Sequence, residues 1–176
     1  MNARGERMGR LERRVTGALL IGLLSAVMGT HALAEEPRSL DPETAHEWVR
    51  EGKLELVDVR RPSEWAETGI PEDAHPLTLH GPRGLEGLLD QIETLTRGDR
   101  STPVGLICHS GTRSAHVRKA LEERGYSAVH DVSAGVVGTY LTPGWVDRGL
   151  PVETYDPEKP PSPGVVPDSW SSLMGL

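Results

Sequence analysis

The sequence has 176 residues, which suits one domain, and a formal net charge of −7 at pH 7. An acidic chain repels nucleic acid phosphates and anionic lipids, so we expect neither as a partner. The single cysteine excludes an internal disulfide bond.

The first 34 residues have the organisation of a secretory signal peptide. Five arginines precede an apolar stretch over Val15–Met28, and Ala32-Leu33-Ala34 offers a small-x-small cleavage site before Glu35. An uncleaved anchor is the alternative, but the apolar stretch is short for a membrane span. Arg13-Arg14 resembles a twin-arginine signal, although the residues after it favour the general secretory route.

Cleavage after Ala34 would leave a periplasmic or secreted protein. Because residues 1–34 contain five arginines and two glutamates, their removal changes the net charge from −7 to −10. A globular domain over residues 35–156 follows. Five prolines in the C-terminal tail, residues 157–176, predict disorder. The alternative is that the apolar end of this tail docks on a partner or folds back.

Helix and strand signals alternate through the globular domain. Asp41 is a good N-cap for a helix that begins at Pro42 and closes at Gly52. The further predicted elements are, in order, a strand over Leu54–Val59, a helical turn over Pro62–Ala66, an extended Gly69–Pro71, a strand over His75–Leu79, a helix over Gly84–Leu95, a strand over Val104–Ile107, a helix that ends at Gly125, a strand over Ala128–Val132, an ambiguous Ser133–Leu141 and a short helix over Trp145–Arg148. The alternation predicts the α/β class, with an open parallel sheet and helices on both of its faces.

The cysteine lies where a buried strand passes into a helix. Open α/β sheets place their reactive groups at such junctions. Gly111 permits a positive φ, so the N–H groups of the loop can point inward at an anion, and the helix N-terminus reinforces them. Arg113 adds a permanent charge, so we expect Cys108 to be ionised at neutral pH. The alternative is a buried cysteine that acts only as a small hydrophobe.

Several motifs, taken together and in order, resemble the rhodanese, or thiosulfate sulfurtransferase, family. They are Leu56-Val57-Asp58-Val59-Arg60, Glu64-Trp65, Gly69-Ile70-Pro71, Cys108-x-x-Gly111-x-Arg113-Ser114 and Gly149-Leu150-Pro151-Val152. The resemblance covers Leu40 to Glu153 and is greatest to single-domain, exported members. Two departures concern the far wall of the pocket: Thr68 replaces the usual His, and a longer stretch separates Ala134-Gly135-Val136 from Gly144-Trp145.

The resemblance implies that Cys108 is the catalytic nucleophile. It would take the outer sulfur of thiosulfate or a related donor as a persulfide and pass it to cyanide or a thiol, including a protein thiol. The residues expected to bind the substrate are those of the rest of the loop: His109, Ser110, Gly111, Thr112, Arg113 and Ser114. No cofactor is implied, and the spacing of the histidines predicts no metal site.

Three charged residues are expected to support the loop. Asp58 can accept hydrogen bonds from loop N–H groups, and Arg60 can pair with Glu64, with a purely structural ion pair favoured over a catalytic one. Arg113 either attracts the oxyanion of the donor or holds the loop through its carbonyls. His109 is expected to be an exposed or substrate-facing residue rather than a base.

Two other functions remain open on the sequence. A cysteine-dependent phosphatase or arsenate reductase also holds a thiolate in an anion site, but its loop resembles Cys-x5-Arg, whereas four residues separate Cys108 from Arg113 here. The second alternative is a non-catalytic binding or sulfur-carrier module of the same fold.

Overall fold

A computed structural model describes residues 37–158. The predicted signal peptide, and all but the first two residues of the predicted tail, lie outside this range. Within it, none of the helices combines the length and the apolar character that a membrane crossing requires.

The described chain alternates short strands with helices. The helices are α1 (Pro42–Arg50), α2 (Pro62–Thr68), α3 (Gly84–Leu95) and α4 (Thr112–Glu123). The strands are β1 (Ser39–Leu40), β2 (Glu55–Asp58), β3 (Ile70–Pro71), β4 (His75–Pro76), β5 (Val104–Ile107), β6 (Val129–Val132) and β7 (Val152–Glu153).

Five strands form one parallel sheet in the order β1-β6-β5-β2-β4. The remaining two, β3 and β7, pair with each other in an antiparallel ribbon. Because parallel strands all end at the same edge, the segments that follow β2, β4, β5 and β6 meet there. The predicted α/β class with a parallel sheet is confirmed.

Two apolar cores cover the two faces of the sheet. Val57 and Leu106 point to one face, where they join a core that includes α3 and α4 side chains. Their neighbours Leu56 and Ile107 point to the other face and join a core that includes Ala45 of α1. This alternation is the period-2 pattern of a strand that is buried on both sides.

Local signals account for most element boundaries. The Asp41 carboxylate accepts a hydrogen bond of 2.9 Å from the N–H of Thr44, so the predicted N-cap is present. This bond from Thr44 lowers the pKa of Asp41. The bounds of α3 and β5 are those predicted.

The predicted helix over Trp145–Arg148 is wrong, because this segment forms turns. The N–H groups of Trp145 and Val146 donate to the carbonyls of Gly135 and Val136, at 2.9 and 3.1 Å. The Trp145 side chain is fully buried. Tertiary hydrogen bonds and burial of the indole therefore decide the conformation of a stretch too short to nucleate a helix.

The two-residue strands β1 and β7 have no counterpart in the prediction. Each is defined by its pairing with a distant strand, β6 and β3 respectively. Neither carries an alternating pattern long enough to be recognised in isolation.

Candidate active site

Cys108 directly follows β5 at the edge where the parallel strands end. Its side chain is buried, with 1% exposed. Its Sγ accepts a hydrogen bond of 3.2 Å from the N–H of Gly111 and lies 3.6 Å from the Oγ of Ser114. The Ser114 hydroxyl also donates to the carbonyl of Gly111, at 2.9 Å, which closes the loop on itself. The sulfur therefore sits against a backbone donor at the start of a helix.

Gly111 makes this tight turn possible. It has a φ of 92°, and a Cβ at this position would lie 2.1 Å from the carbonyl oxygen of Ser133. The helix α4 begins at the next residue, so its first N–H groups have no partner within the helix. No described residue accepts a hydrogen bond from the N–H of Thr112, Arg113 or Ser114. Free N–H groups at a helix N-terminus favour a bound anion.

The segment that follows β6 holds the cysteine loop through backbone hydrogen bonds. The N–H of Val136 donates to the carbonyl of Cys108 at 2.8 Å. Those of Val137 and Gly138 donate to the carbonyl of His109 at 3.0 and 3.2 Å. The sequence did not decide the structure of Ser133–Leu141. In the structure it is a loop whose backbone N–H groups bond the carbonyls of residues 108 and 109.

Arg113 makes a bidentate ion pair with Glu64 of α2. Its two terminal nitrogens lie 2.8 and 2.6 Å from the carboxylate oxygens. The pair, with Arg113 as the largest cause, lowers the pKa of Glu64 to about 2. Among the described residues the hydrogen-bond partners of this guanidinium are Glu64 and His80, so it bonds no loop carbonyl. Arg113 holds the loop through α2, an arrangement that the sequence did not predict.

The predicted pairing of Arg60 with the Glu64 carboxylate is wrong. Arg60 instead pairs with Asp58, through contacts of 2.6 to 3.0 Å, and both side chains are fully buried. Asp58 also accepts from the N–H of Arg60 at 3.1 Å, but among the described residues no N–H of the cysteine loop donates to it, so that predicted bond is wrong. Burial raises the pKa of Asp58, and the Arg60 guanidinium opposes this rise.

Arg60 also anchors the C-terminal end of α2. Its guanidinium donates to Thr68 Oγ1 and to the Gly69 carbonyl, each at 2.7 Å, and to the Glu64 carbonyl at 3.3 Å. Thr68, noted in the sequence as a departure, is therefore a partner of this buried arginine. The Asp58–Arg60 pair, which the sequence did not predict, fixes the helix that carries Glu64.

The remaining loop residues differ in exposure. The side chain of His109 is 46% exposed, and its Nδ1 lies 3.2 Å from Glu64. Ser110 is half-buried, and Thr112 is exposed as the first residue of α4. The roles predicted for these residues in substrate binding stay predictions.

Sequence reasoning missed two residues beside the loop, Arg61 and His80. The Nε2 of His80 lies 3.5 Å from Arg113. Burial, with the charges of Arg61 and Arg113, lowers the pKa of His80. A signal for His80 was available, because it comes soon after a predicted strand and the ends of parallel strands share one edge.

A family model for the rhodanese-like domain matches residues 41–140, more than half of the sequence. This chain belongs to the rhodanese-like domain family. Among curated relatives, a protein of Bacillus subtilis (strain 168) that carries the name "Putative sulfurtransferase YtwF" is 35% identical over 78 residues, which cover 44% of this chain and 66% of YtwF. The tRNA uridine(34) hydroxylase of Chlamydia pneumoniae is 25% identical over 142 residues, 73% of this chain but only 43% of the hydroxylase.

Solved structures give the same fold for this rhodanese-like domain. A rhodanese-like domain from Anabaena sp. has a TM-score of 0.52 at 17% identity, covering 74% of this chain and 92% of that one. The polysulfide-sulfur transferase homodimer of Wolinella succinogenes has a TM-score of 0.50 at 22% identity, covering 68% and 80%. At these identities the likeness concerns the fold. The predicted membership of the rhodanese family is confirmed, and sulfurtransferases are among its distant relatives.

Proposed function

We propose that this protein is a sulfurtransferase that moves a sulfane sulfur from thiosulfate or a similar donor, through Cys108, to cyanide or a thiol. The observation that carries the proposal is the 3.2 Å hydrogen bond from the Gly111 N–H to the Cys108 Sγ at the N-terminus of α4. A backbone donor and a helix N-terminus stabilise a thiolate, which is the nucleophilic form of cysteine.

The proposed reaction has two displacements at sulfur. In the first, the Cys108 thiolate attacks the outer sulfur of thiosulfate, the S–S bond of the donor breaks, and sulfite leaves with its electron pair. In the second, the acceptor attacks the terminal sulfur of the Cys108 persulfide, and the electron pair of that bond returns to Cys108 as thiolate. The free N–H groups of Thr112, Arg113 and Ser114 are suited to hold the terminal sulfur anion between the two steps.

The pairing of Arg113 argues against the phosphatase alternative. An arginine binds a phosphate best through two parallel N–H contacts, whereas both terminal nitrogens of Arg113 bond the carboxylate of Glu64. The loop is also one residue shorter than Cys-x5-Arg. Both features favour a substrate whose transferred group is a single atom.

The test is transfer from thiosulfate to cyanide, with intact mass of the protein measured after treatment with thiosulfate alone. We expect thiocyanate formation and one added sulfur in the natural protein, and neither in Cys108→Ser. Phosphatase activity without sulfur transfer would overturn the proposal. A folded protein that gains no sulfur would instead support the non-catalytic binding module, and one that gains a sulfur but forms no thiocyanate would support the sulfur carrier.

A further inference from the structure

Two large and exposed side chains, Tyr140 and Leu141, lie at the tip of the turn that follows Val136 and Val137. Their relative exposures are 101% and 86%. Among the described residues, Val152 at 41% is the other large hydrophobic residue classed as exposed. An exposed tyrosine beside an exposed leucine favours a contact surface, because tyrosine is enriched at the energetic centres of interfaces.

Backbone hydrogen bonds order this turn. The N–H of Thr139 donates to the carbonyl of Thr142 at 2.9 Å, and the reverse bond is 3.2 Å. The hydroxyl oxygen of Thr139 accepts from the N–H groups of Leu141 and Thr142. At the base of the turn, Gly138 and Pro143 pair in an antiparallel manner. We call residues 138–143 the apolar turn. Since its backbone is ordered before any partner arrives, binding there loses little conformational entropy.

The apolar turn is joined to the cysteine loop at its base. The N–H of Gly138, the first residue of the turn, donates to the carbonyl of His109, the residue after Cys108. The base of the apolar turn is thus tied to the loop that carries Cys108, which favours a partner with enough surface to contact both.

The other side of the loop carries a basic cluster, which consists of Arg61, His80, His109 and Arg113 around Glu64. Glu64 lies 2.6 Å from Arg113, 3.2 Å from His109 and 3.9 Å from Arg61. Arg61 and Arg113 face one glutamate, so the side chains of this cluster carry a net positive charge, opposite in sign to the protein's net charge of −7 and able to offset the anionic sulfur of Cys108. This reversal favours an acidic partner at the mouth of the site.

We propose that the apolar turn and the basic cluster together form the docking site for a protein thiol, presented on an acidic segment with apolar residues beside its cysteine. The proposal rests on the proposed function, since it names the class of acceptor. In the step it describes, the partner thiolate attacks the terminal sulfur of the Cys108 persulfide. A new S–S bond forms on the partner, the old one breaks, and Cys108 regains its thiolate with no external oxidant or reductant.

Docking is tested first with a peptide that cannot accept sulfur, so that only binding is measured. The probe is a fluorescein-labelled synthetic peptide in which one serine stands for the cysteine, flanked by two aspartates and followed by two leucines. We expect Tyr140→Ser/Leu141→Ser to weaken its binding, measured by anisotropy, by at least about tenfold. Val152→Ser is the matched control, because it also removes an exposed apolar side chain, and it should bind as the natural protein does. Equal binding by the double variant would overturn the proposal.

Transfer is then compared for two peptides that carry the cysteine, one with the leucines and one with serines in their place. We expect the natural protein to prefer the leucine peptide by about tenfold in kcat/KM, and the double variant to lose this preference while its transfer to cyanide is unchanged. If the double variant kept the preference for the leucine peptide, the docking proposal would be overturned and the proposed function would stand. If the natural protein transferred no sulfur to cyanide, the proposed function itself would be overturned. Sedimentation of both proteins completes the test. If the natural protein is a dimer and the double variant is a monomer, the turn contacts a second copy of the chain, and the proposal of a thiol partner is rejected.

Discussion

At position 111 the chain has room for a hydrogen atom and nothing larger. The φ of 92° favours glycine, a Cβ at this position would lie only 2.1 Å from the Ser133 carbonyl oxygen, and the same residue supplies the N–H that reaches Cys108. Gly111→Ala should displace the loop and lower sulfur transfer by about a hundredfold, because misplacing a reacting group by an ångström has effects of that size.

The control for this prediction is Gly52→Ala. Gly52 has a φ of 67° with no other atom within 4 Å of a Cβ, so it shares the backbone strain, roughly 1–2 kcal/mol, without the collision. Transfer rates of the two purified variants separate the two effects. If Gly111→Ala and Gly52→Ala transferred sulfur at comparable rates, the contact with Ser133 would not be the reason why alanine at position 111 slows transfer.

Glu64 is the second residue on which the loop depends. Its pKa of about 2 lies below the ordinary value of 4.5, with its bond to Arg113 as the largest cause. A lowered carboxyl pKa adds stability that is complete above pH 4.5 and is lost as the pH falls through about 2. Glu64→Gln should therefore reduce the free energy of unfolding at pH 7 by about 1–2 kcal/mol, and the difference from the natural protein should shrink between pH 4.5 and 2.

Urea unfolding at several pH values measures this difference. Glu43→Gln is the control, because it breaks an exposed ion pair, with Arg148, whose N–O distance is 2.7 Å. Its effect should stay within about 1 kcal/mol at every pH. A constant difference for Glu64→Gln down to pH 2 would contradict the role assigned to the Arg113 pair.

At the scale of elements, the site depends on how α2 is attached to the end of β2. Arg60 makes this connection, because it bonds Asp58 after the strand and Thr68 and Gly69 at the end of the helix. Arg60→Leu leaves the Asp58 carboxylate buried without its partner. We expect a loss of about 3–5 kcal/mol in the free energy of unfolding, measured by urea titration.

Arg148→Leu provides the comparison for that change. Arg148 pairs with Glu43 at the surface, so its loss should be within about 1 kcal/mol. If both variants lost the same stability, the buried pair would not be the anchor of α2.

At the scale of the whole molecule, the full chain is expected to be exported and cleaved after Ala34. The arginines, the apolar stretch over Val15–Met28 and the small residues at 32 and 34 form the pattern of a secretory signal peptide. Expression of the full chain in a bacterium, followed by fractionation and N-terminal sequencing, should give a periplasmic product that begins at Glu35. A cytoplasmic product that still begins at Met1 would contradict this prediction.

The sequence alone determined the parts of this protein that depend on neighbours in the chain. The Asp41 cap, the α3 helix and the position of Cys108 between β5 and α4 follow from caps, periodicity and glycine placement, all of which act within a few residues. The resemblance to the rhodanese family rested on such short motifs and their order, and it was correct.

Only the tertiary structure decided which distant residues meet around the sulfur. Glu64 and Arg113 are 49 positions apart, and they pair because the sheet order places β2 beside β5. The clamp from Val136 and the apolar turn reach the loop because β6 lies on the other side of β5. Strand order is set by the packing of both faces of the sheet at once, so no local spacing in the sequence encodes these contacts.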